Sequence, residues 1–197
     1  MGQYYKAALV DGKDVRTFRC WGFMKLMEHS YLCNPMVNQV MYELVRNPQR
    51  VFWTGDYAHL PKDRFGGMSH RKWMELFDRI WNTPDEKEWD SNNPAYRADI
   101  TGEEIDGFVS DLSGSYLINH TKNVFVSLPG IPDTGDQGTV HPLPILTACG
   151  NLRGGGDYCG THMELVGSWA GDLIEVLCDR PDGLTELKAE FRENRSI

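Results

Sequence analysis

The stretch of this chain best suited to chemistry is Arg153-Gly154-Gly155-Gly156-Asp157. Glycine loses more conformational entropy on folding than any other residue, so three in a row need a reason. Successive N–H groups free of Cβ atoms can point into one concavity and hold an anion. Arg153 beside them can grip a phosphate or carboxylate with two parallel hydrogen bonds. Asn151 and Asp157 flank the loop. Asp157 can receive a ribose hydroxyl or hold Arg153 in place. The structural alternative is a tight bulged connection closed by an Arg153–Asp157 ion pair. The glycines match neither GxxxxGKS/T nor GxGxxG, so neither nucleotide fingerprint applies.

Two further acids recur in matching tetrapeptides, Trp53-Thr54-Gly55-Asp56 and Trp169-Ala170-Gly171-Asp172. If Asp56 and Asp172 converge, they suit acid–base work or a Mg²⁺ site. Taken singly, Gly-Asp after a strand is turn chemistry, with Asp bonding its own backbone. Trp53 and Trp169 are core or rim packing, or else stacking platforms. Cys149 lies eight residues after His141, and a Cys–His pair can make an acyl-transfer nucleophile. Leu146, Thr147 and Ala148 beside it instead favour a small buried thiol. His29 follows an apolar run next to Glu28 and reads as a satisfied histidine at the core edge. His29, His141 and His162 show no metal-ligand spacing, so neither metal nor cofactor is expected.

These groups sit in a 197-residue chain with a net charge of −8, 41 % hydrophobic and 24 % charged residues. That composition fits a soluble globular protein. Residues 83–111 carry nine acidic residues against Lys87 and Arg97. Direct nucleic-acid binding is disfavoured, because no basic stripe exists to replace phosphate counterions. The acidic stretch is a solvated linker or docks on a basic partner surface. The five cysteines are scattered and form no CxxC, so neither a disulfide framework nor a zinc ribbon is suggested. No run approaches a membrane span, and MGQYYKAALV lacks the apolar stretch of a signal peptide. A cytoplasmic location with reduced thiols is expected.

The elements that must position these groups can be read in order. Asp11-Gly12 between two apolar runs predicts a hairpin over 5–18. Asn34-Pro35 caps and opens a helix whose Met36, Val37, Val40, Met41, Leu44 and Val45 share a face. Val51-Phe52-Trp53 reads as a strand. Ser69 caps a second helix bearing Trp73, Leu76, Phe77, Ile80 and Trp81. Residues 83–99 read as an exposed connection. Thr101-Gly102-Glu103-Glu104 looks like a capping box opening a short helix with Ile105, Phe108, Val109 and Leu112. A hairpin is expected at 116–128, one to two helical turns at 141–149, strands at 165–169 and 173–177, and a closing helix through Leu184, Leu187 and Phe191. The class is therefore α+β. A weak repeat of hairpin, helix and Trp-x-Gly-Asp strand suggests a duplicated unit. Residues 1–68 and 113–197 would be its halves, and 69–112 a helical and acidic insertion.

MGQYYK, KLMEHS at 25–30, WTGDYA at 53–58, HPLPILTACGNLRGGGDY at 141–158 and LVGSWAGD at 165–172 together resemble a family of uncharacterised proteins from bacterial genomes and mobile elements. In that family the loop usually reads GNGRGGGD, and here Leu152 replaces one glycine. The resemblance covers both ends of the chain, leaves about 60–112 unmatched and transfers no catalytic residue. It implies bacterial or phage origin and importance of the motifs.

The reading that follows is a non-enzymatic binding protein of phage or mobile-element origin. It would capture an anionic, nucleotide-like small molecule in the glycine loop with Trp169 and Asp172 nearby, as counter-defence proteins do. His29, Trp53, Asp56 and His141 are secondary candidates. One alternative is an acidic interaction protein that blocks a basic nucleic-acid-binding surface of a host protein. Another is a nucleotide or ADP-ribose hydrolase acting through Asp56, Asp157 or Asp172. A homo-oligomer is compatible with each.

Overall fold

A computed structural model describes residues 2–19, 24–31, 34–59, 68–86, 115–128, 140–151 and 157–193. Its first element is the expected hairpin, β1 (Tyr5–Asp11) with β2 (Asp14–Phe18). The last pair is Asp11↔Asp14, so Gly12-Lys13 is a two-residue loop. Gly12 has φ +54°. That conformation at the first loop position matches strand twist and is free of strain only for glycine. Helix α1 (Pro35–Arg46) starts where the Asn34 side chain accepts from the N–H groups of Met36 and Val37. It leads into β3 (Gln49–Gly55), which runs antiparallel to β1 from Tyr5↔Gly55 to Val10↔Arg50.

Period-two alternation then assigns two faces. Ala7, Leu9, Val51 and Trp53 point to the side of α1, with Met36, Val40, Met41 and Leu44. Ala8, Val10 and Phe52 point to the other side, against Trp73, Leu76 and Ile80 of α2 (His70–Asn82). Ser69 Oγ accepts from Lys72 N–H and caps α2. Both faces of β1 and β3 are therefore covered, which explains their near-continuous apolar sequence. Residues 70–82 are part of this packing, not an insertion apart from it.

The second hairpin is β4 (Tyr116–Asn119) with β5 (Val124–Ser127). Then come α3 (Pro142–Leu146), the two-residue strand β6 (Ala148–Cys149), β7 (Leu173–Leu177) and β8 (Thr185–Glu186). All join one sheet in the order β2-β1-β3-β7-β4-β5-β8, with β6 pairing parallel to the end of β3. The fold is α+β. No helix among the described residues is long and apolar enough to cross a membrane.

Three expectations are corrected. Residues 165–169 form no strand: a 3₁₀ turn at Met163–Leu165 is followed by turns, and Gly167 takes φ +67°. The backbone there is satisfied by α3 instead, through Gly167 N–H to Ile145 O and Trp169 N–H to Leu146 O. Residues 184–191 form no helix. The open edge of β5 captures them, with Thr185↔Val124 pairing and Leu187 N–H donating to Phe125 O. Residues 83–86 are anchored to β2 rather than a free connection, with Pro84 and Glu86 exposed: Glu86 N–H donates to Thr17 O, and Asp85 bridges to Thr17. Residues 87–99 and the expected helix of 101–112 lie outside the described residues. A hairpin followed by a helix and a strand occurs in each part of the chain, which does not establish a duplicated unit. The tetrapeptides are not equivalent, since Trp53 lies within β3 while Trp169 precedes β7.

Candidate functional site

The glycine loop leaves the sheet where the parallel strands β3 and β6 end. Gly55 closes β3, and Gly150 follows β6. Between them lie Gln3 and Tyr5, both buried. A Cβ at position 55 would lie 2.4 Å from the Gln3 side chain, and one at 150 would lie 2.1 Å from Tyr5 Oη. These two glycines are thus required by close approach.

Gln3 Oε1 accepts from Asn151 N–H at 3.1 Å, and Tyr5 Oη lies 2.8 Å from Asp157 Oδ1. Both flanks of the loop are therefore fixed to the start of β1. Tyr5 Oη is also 3.1 Å from Gln3 Oε1. One hydroxyl hydrogen serves one acceptor best, and the nearer carboxylate takes it. Burial first, and the Asp157 charge next, push the Tyr5 phenol well above its ordinary pKa, so it stays a donor. Gln3 Nε2 is buried and donates to no acceptor among the described residues. Leu152, Arg153, Gly154, Gly155 and Gly156 lie outside the described residues.

The other candidates are dispersed. Asp56 Oδ1 accepts from Tyr4 N–H at 3.1 Å, which ties the end of β3 to the residue before β1 and is not a local turn bond. Trp53 and Trp169 are buried in the α1-side core and offer no stacking surface. His141 caps α3, its Nδ1 accepting from Leu143 N–H at 3.1 Å. Burial pushes its pKa down to about 3, so the ring is neutral. With Nδ1 engaged as a cap, that nitrogen is not available as a base for Cys149, which is itself buried against the α2 side of the sheet. The His29 side chain lies outside the description.

Asp172 is held by Asn119 Nδ2 at 2.8 Å and by Lys122 Nζ. Its backbone O accepts from Val51 N–H near the start of β3, whereas Asp56 follows the strand's end. About 3.3 Å per residue puts these ends roughly 15 Å apart. Asp56 and Asp172 therefore do not converge, and Asp172 is remote from Asp157. Among the described residues, no group of three or more His, Cys, Asp or Glu gathers as a metal site.

What the sequence reading missed lies at that far end. A groove of about 710 Å³ runs between α2 and the sheet. Its floor is apolar, from Val10, Phe52 and Ala170, and α2 contributes Leu76. Its rim carries Arg50, Lys72 and Arg79. Among the described residues, none of the three pairs with a carboxylate. Arg50 Nη1 donates to Gly171 O at 2.8 Å, and Arg79 Nη2 donates to Lys13 O. Two backbone carbonyls therefore aim the guanidinium groups while leaving other N–H donors unspent. Glu75, also on the rim, bonds Arg71 at 2.9 Å. Lys72 and Arg79 flank the apolar stripe of α2 seven residues apart, which was a readable signal. Arg50 joins them only through the tertiary fold.

No protein-family model, curated protein or solved structure matches this chain.

Proposed function

We propose that the protein is a non-enzymatic binding protein that captures an anionic small molecule with an apolar, planar portion, nucleotide-like in build, in the groove between α2 and the sheet. The observation that carries this is the set of three cations, Arg50, Lys72 and Arg79, without carboxylate partners around an apolar floor. Concave, mostly apolar pockets of this volume with a few convergent polar groups are the usual form of small-molecule sites. Binding without catalysis fits the acids present. Asp172 is engaged by Lys122 and Asn119, and Glu75 by Arg71. The motif resemblance supports a phage or mobile-element setting, where sequestering a host signalling nucleotide is one use of such a site.

A second reading keeps the anion at the glycine loop, favoured by the buried Gln3 amide that lacks an acceptor among the described residues. A thermal-shift screen with pyrophosphate, nucleotides and sugar phosphates tests both. A ligand at 100 times its dissociation constant should stabilise the fold by about 2.7 kcal/mol. The stabilisation should vanish in Arg50→Ala and Arg79→Ala proteins if the groove is the site. No stabilisation by any phosphate-bearing compound would overturn the capture function itself.

A further inference from the structure

We propose that the end of the first hairpin holds a divalent cation of the calcium type between Asp11 and Asp14. These two acids face each other as the last pair of β1 and β2. Directly opposite side chains stand about 4.5–5.5 Å apart at Cβ, and like charges placed so are destabilising. Among the described residues neither carboxylate has an ion pair. The nearest cation on that face is committed elsewhere. Arg16 Nη1 is 2.7 Å from Glu43 Oε2, and its Nε is 3.2 Å from Glu86 Oε1. Its guanidinium lies over Phe18, 5.5 Å from the ring centroid. Phe18 is two residues farther along β2 from the hairpin loop, so Arg16 leans away from Asp14.

Gln49 points to the same ligand independently. The β1–β3 register reaches Val10↔Arg50, and its next step sets Asp11 beside Gln49. Alternation puts both on the α1 side of the sheet. Asp14, Asp11 and Gln49 thus form a row across three adjacent strands. Gln49 is only 7 % exposed, and its side chain has no hydrogen-bond partner among the described residues. A buried amide in that state is costly, and a cation at its Oε1 relieves the cost. Gln49 lines a pocket of about 240 Å³ together with both acids. From above, the end of α1 adds Asn47, and its last carbonyls carry partial negative charge. With Glu43 spent on Arg16, Asp11 and Asp14 leave two negative charges, which one divalent ion balances and one ammonium does not. Every donor is an oxygen, from the two carboxylates and the two amides, and such a set selects hard cations. Magnesium demands near-ideal octahedral geometry, whereas calcium accepts an irregular shell completed by water. Asp11 and Asp14 are exposed, so the ion has a way in.

The test is calorimetric and thermal titration of the intact, chelator-treated chain with calcium chloride. Calcium should bind with a dissociation constant on the order of 10⁻⁴–10⁻³ M, as weak, partly solvated sites do, and should raise the melting temperature. Asp11→Asn and Asp14→Asn should each weaken that binding about tenfold. Asp11→Asn keeps a residue that suits the turn before Gly12. Without calcium both variants should melt at or above the wild-type temperature, because each removes a like-charge repulsion. A purely structural role for the two acids gives the reverse, a lower melting temperature without calcium, and would overturn the proposal. Magnesium and spermidine, titrated alongside, should bind more weakly. Tighter binding of spermidine would make the clamp an alkylammonium site and overturn the metal. Calcium binding that survives both substitutions would belong to other acids of the chain. An equal effect of sodium chloride at matched ionic strength would reduce it to charge screening. Either result would overturn the site, as would no binding of calcium.

Discussion

The Lys6 ammonium is buried at 1 % exposure and lies 2.9 Å from Asp85 Oδ1. Asp85 is the first acid of the acidic stretch; it also accepts from Thr17 Oγ1 at 2.9 Å and forms an ion pair with Arg19, Nε to Oδ2 3.1 Å. Lys6 rests over the Trp81 ring, 5.3 Å from its centroid. Burial lowers the Lys6 pKa, and Asp85 opposes that shift. The described start of the acidic stretch is thus seated on the sheet, with buried Lys6 beneath it.

Removing one partner of a buried pair leaves an uncompensated charge, which costs more than the pair contributes. Asp85→Asn should therefore lower stability by about 2–4 kcal/mol, with partial solvent access to Asp85 placing it near the lower figure. Lys6→Met in the Asp85→Asn background should recover much of the loss. Urea unfolding of the four proteins gives the coupling energy directly. Coupling below about 0.5 kcal/mol would mean the segment is held by Thr17 and the backbone alone.

Gly150 and Tyr5 give a second prediction. Gly150→Ala places a Cβ 2.1 Å from Tyr5 Oη but 3.2 Å from Cζ. Overpacking of this kind costs about 1–3 kcal/mol. Tyr5→Phe removes the offending oxygen, so Gly150→Ala should be milder in a Tyr5→Phe protein than in the wild type. Additive losses would show that the clash is relieved by backbone movement instead.

His141 supplies a pH dependence. Its folded pKa of about 3 lies below the ordinary 6.5. Protonation therefore favours the unfolded chain. The stability contributed by neutral His141 is complete above about pH 6.5 and is lost as pH falls toward 3. The slope approaches about 1.4 kcal/mol per pH unit. His141→Asn keeps a capping acceptor without a titrating ring. Between pH 6.5 and 4 the wild type should lose stability more steeply than this variant, and parallel curves would rule out His141 as the source.

These residues show where the sequence was legible. Asn34-Pro35, Ser69 and Asp11-Gly12 each act through neighbours within three residues, so their caps and turn were readable locally. Val51-Phe52-Trp53 was likewise readable as a strand. Leu184, Leu187 and Phe191 misled, because three apolar residues at helical spacing cannot outweigh an open strand edge at β5, which lies some sixty residues earlier. The Trp-x-Gly-Asp match misled for a similar reason: four residues carry no information about which end of a strand they occupy. Arg50 was invisible as a site residue since its groove partners, Lys72 and Arg79, meet it only after α2 crosses the sheet.

Asn151 and Asp157, which flank the glycine loop, are tied to the end of β3 opposite the groove, roughly 15 Å from it, so substitutions at one should leave the other intact. Distant, unshared sites contribute additively. If the groove is where the anion is held, Arg153→Ala should bind pyrophosphate and nucleotides as the wild type does, and Arg79→Ala should not. Asp157→Ala should lower stability, because buried Tyr5 Oη loses its charged acceptor 2.8 Å away and keeps only Gln3 Oε1 at 3.1 Å. It should leave ligand affinity unchanged. The opposite pattern has equal meaning. Loss of binding in Arg153→Ala, with Arg79→Ala unaffected, would place capture at the loop. The Gln3 amide, without an acceptor among the described residues, would then be a buried donor beside the loop's flank at Asn151. Thermal shift and calorimetric titration on these three variants and the wild type decide between the two ends of the strand.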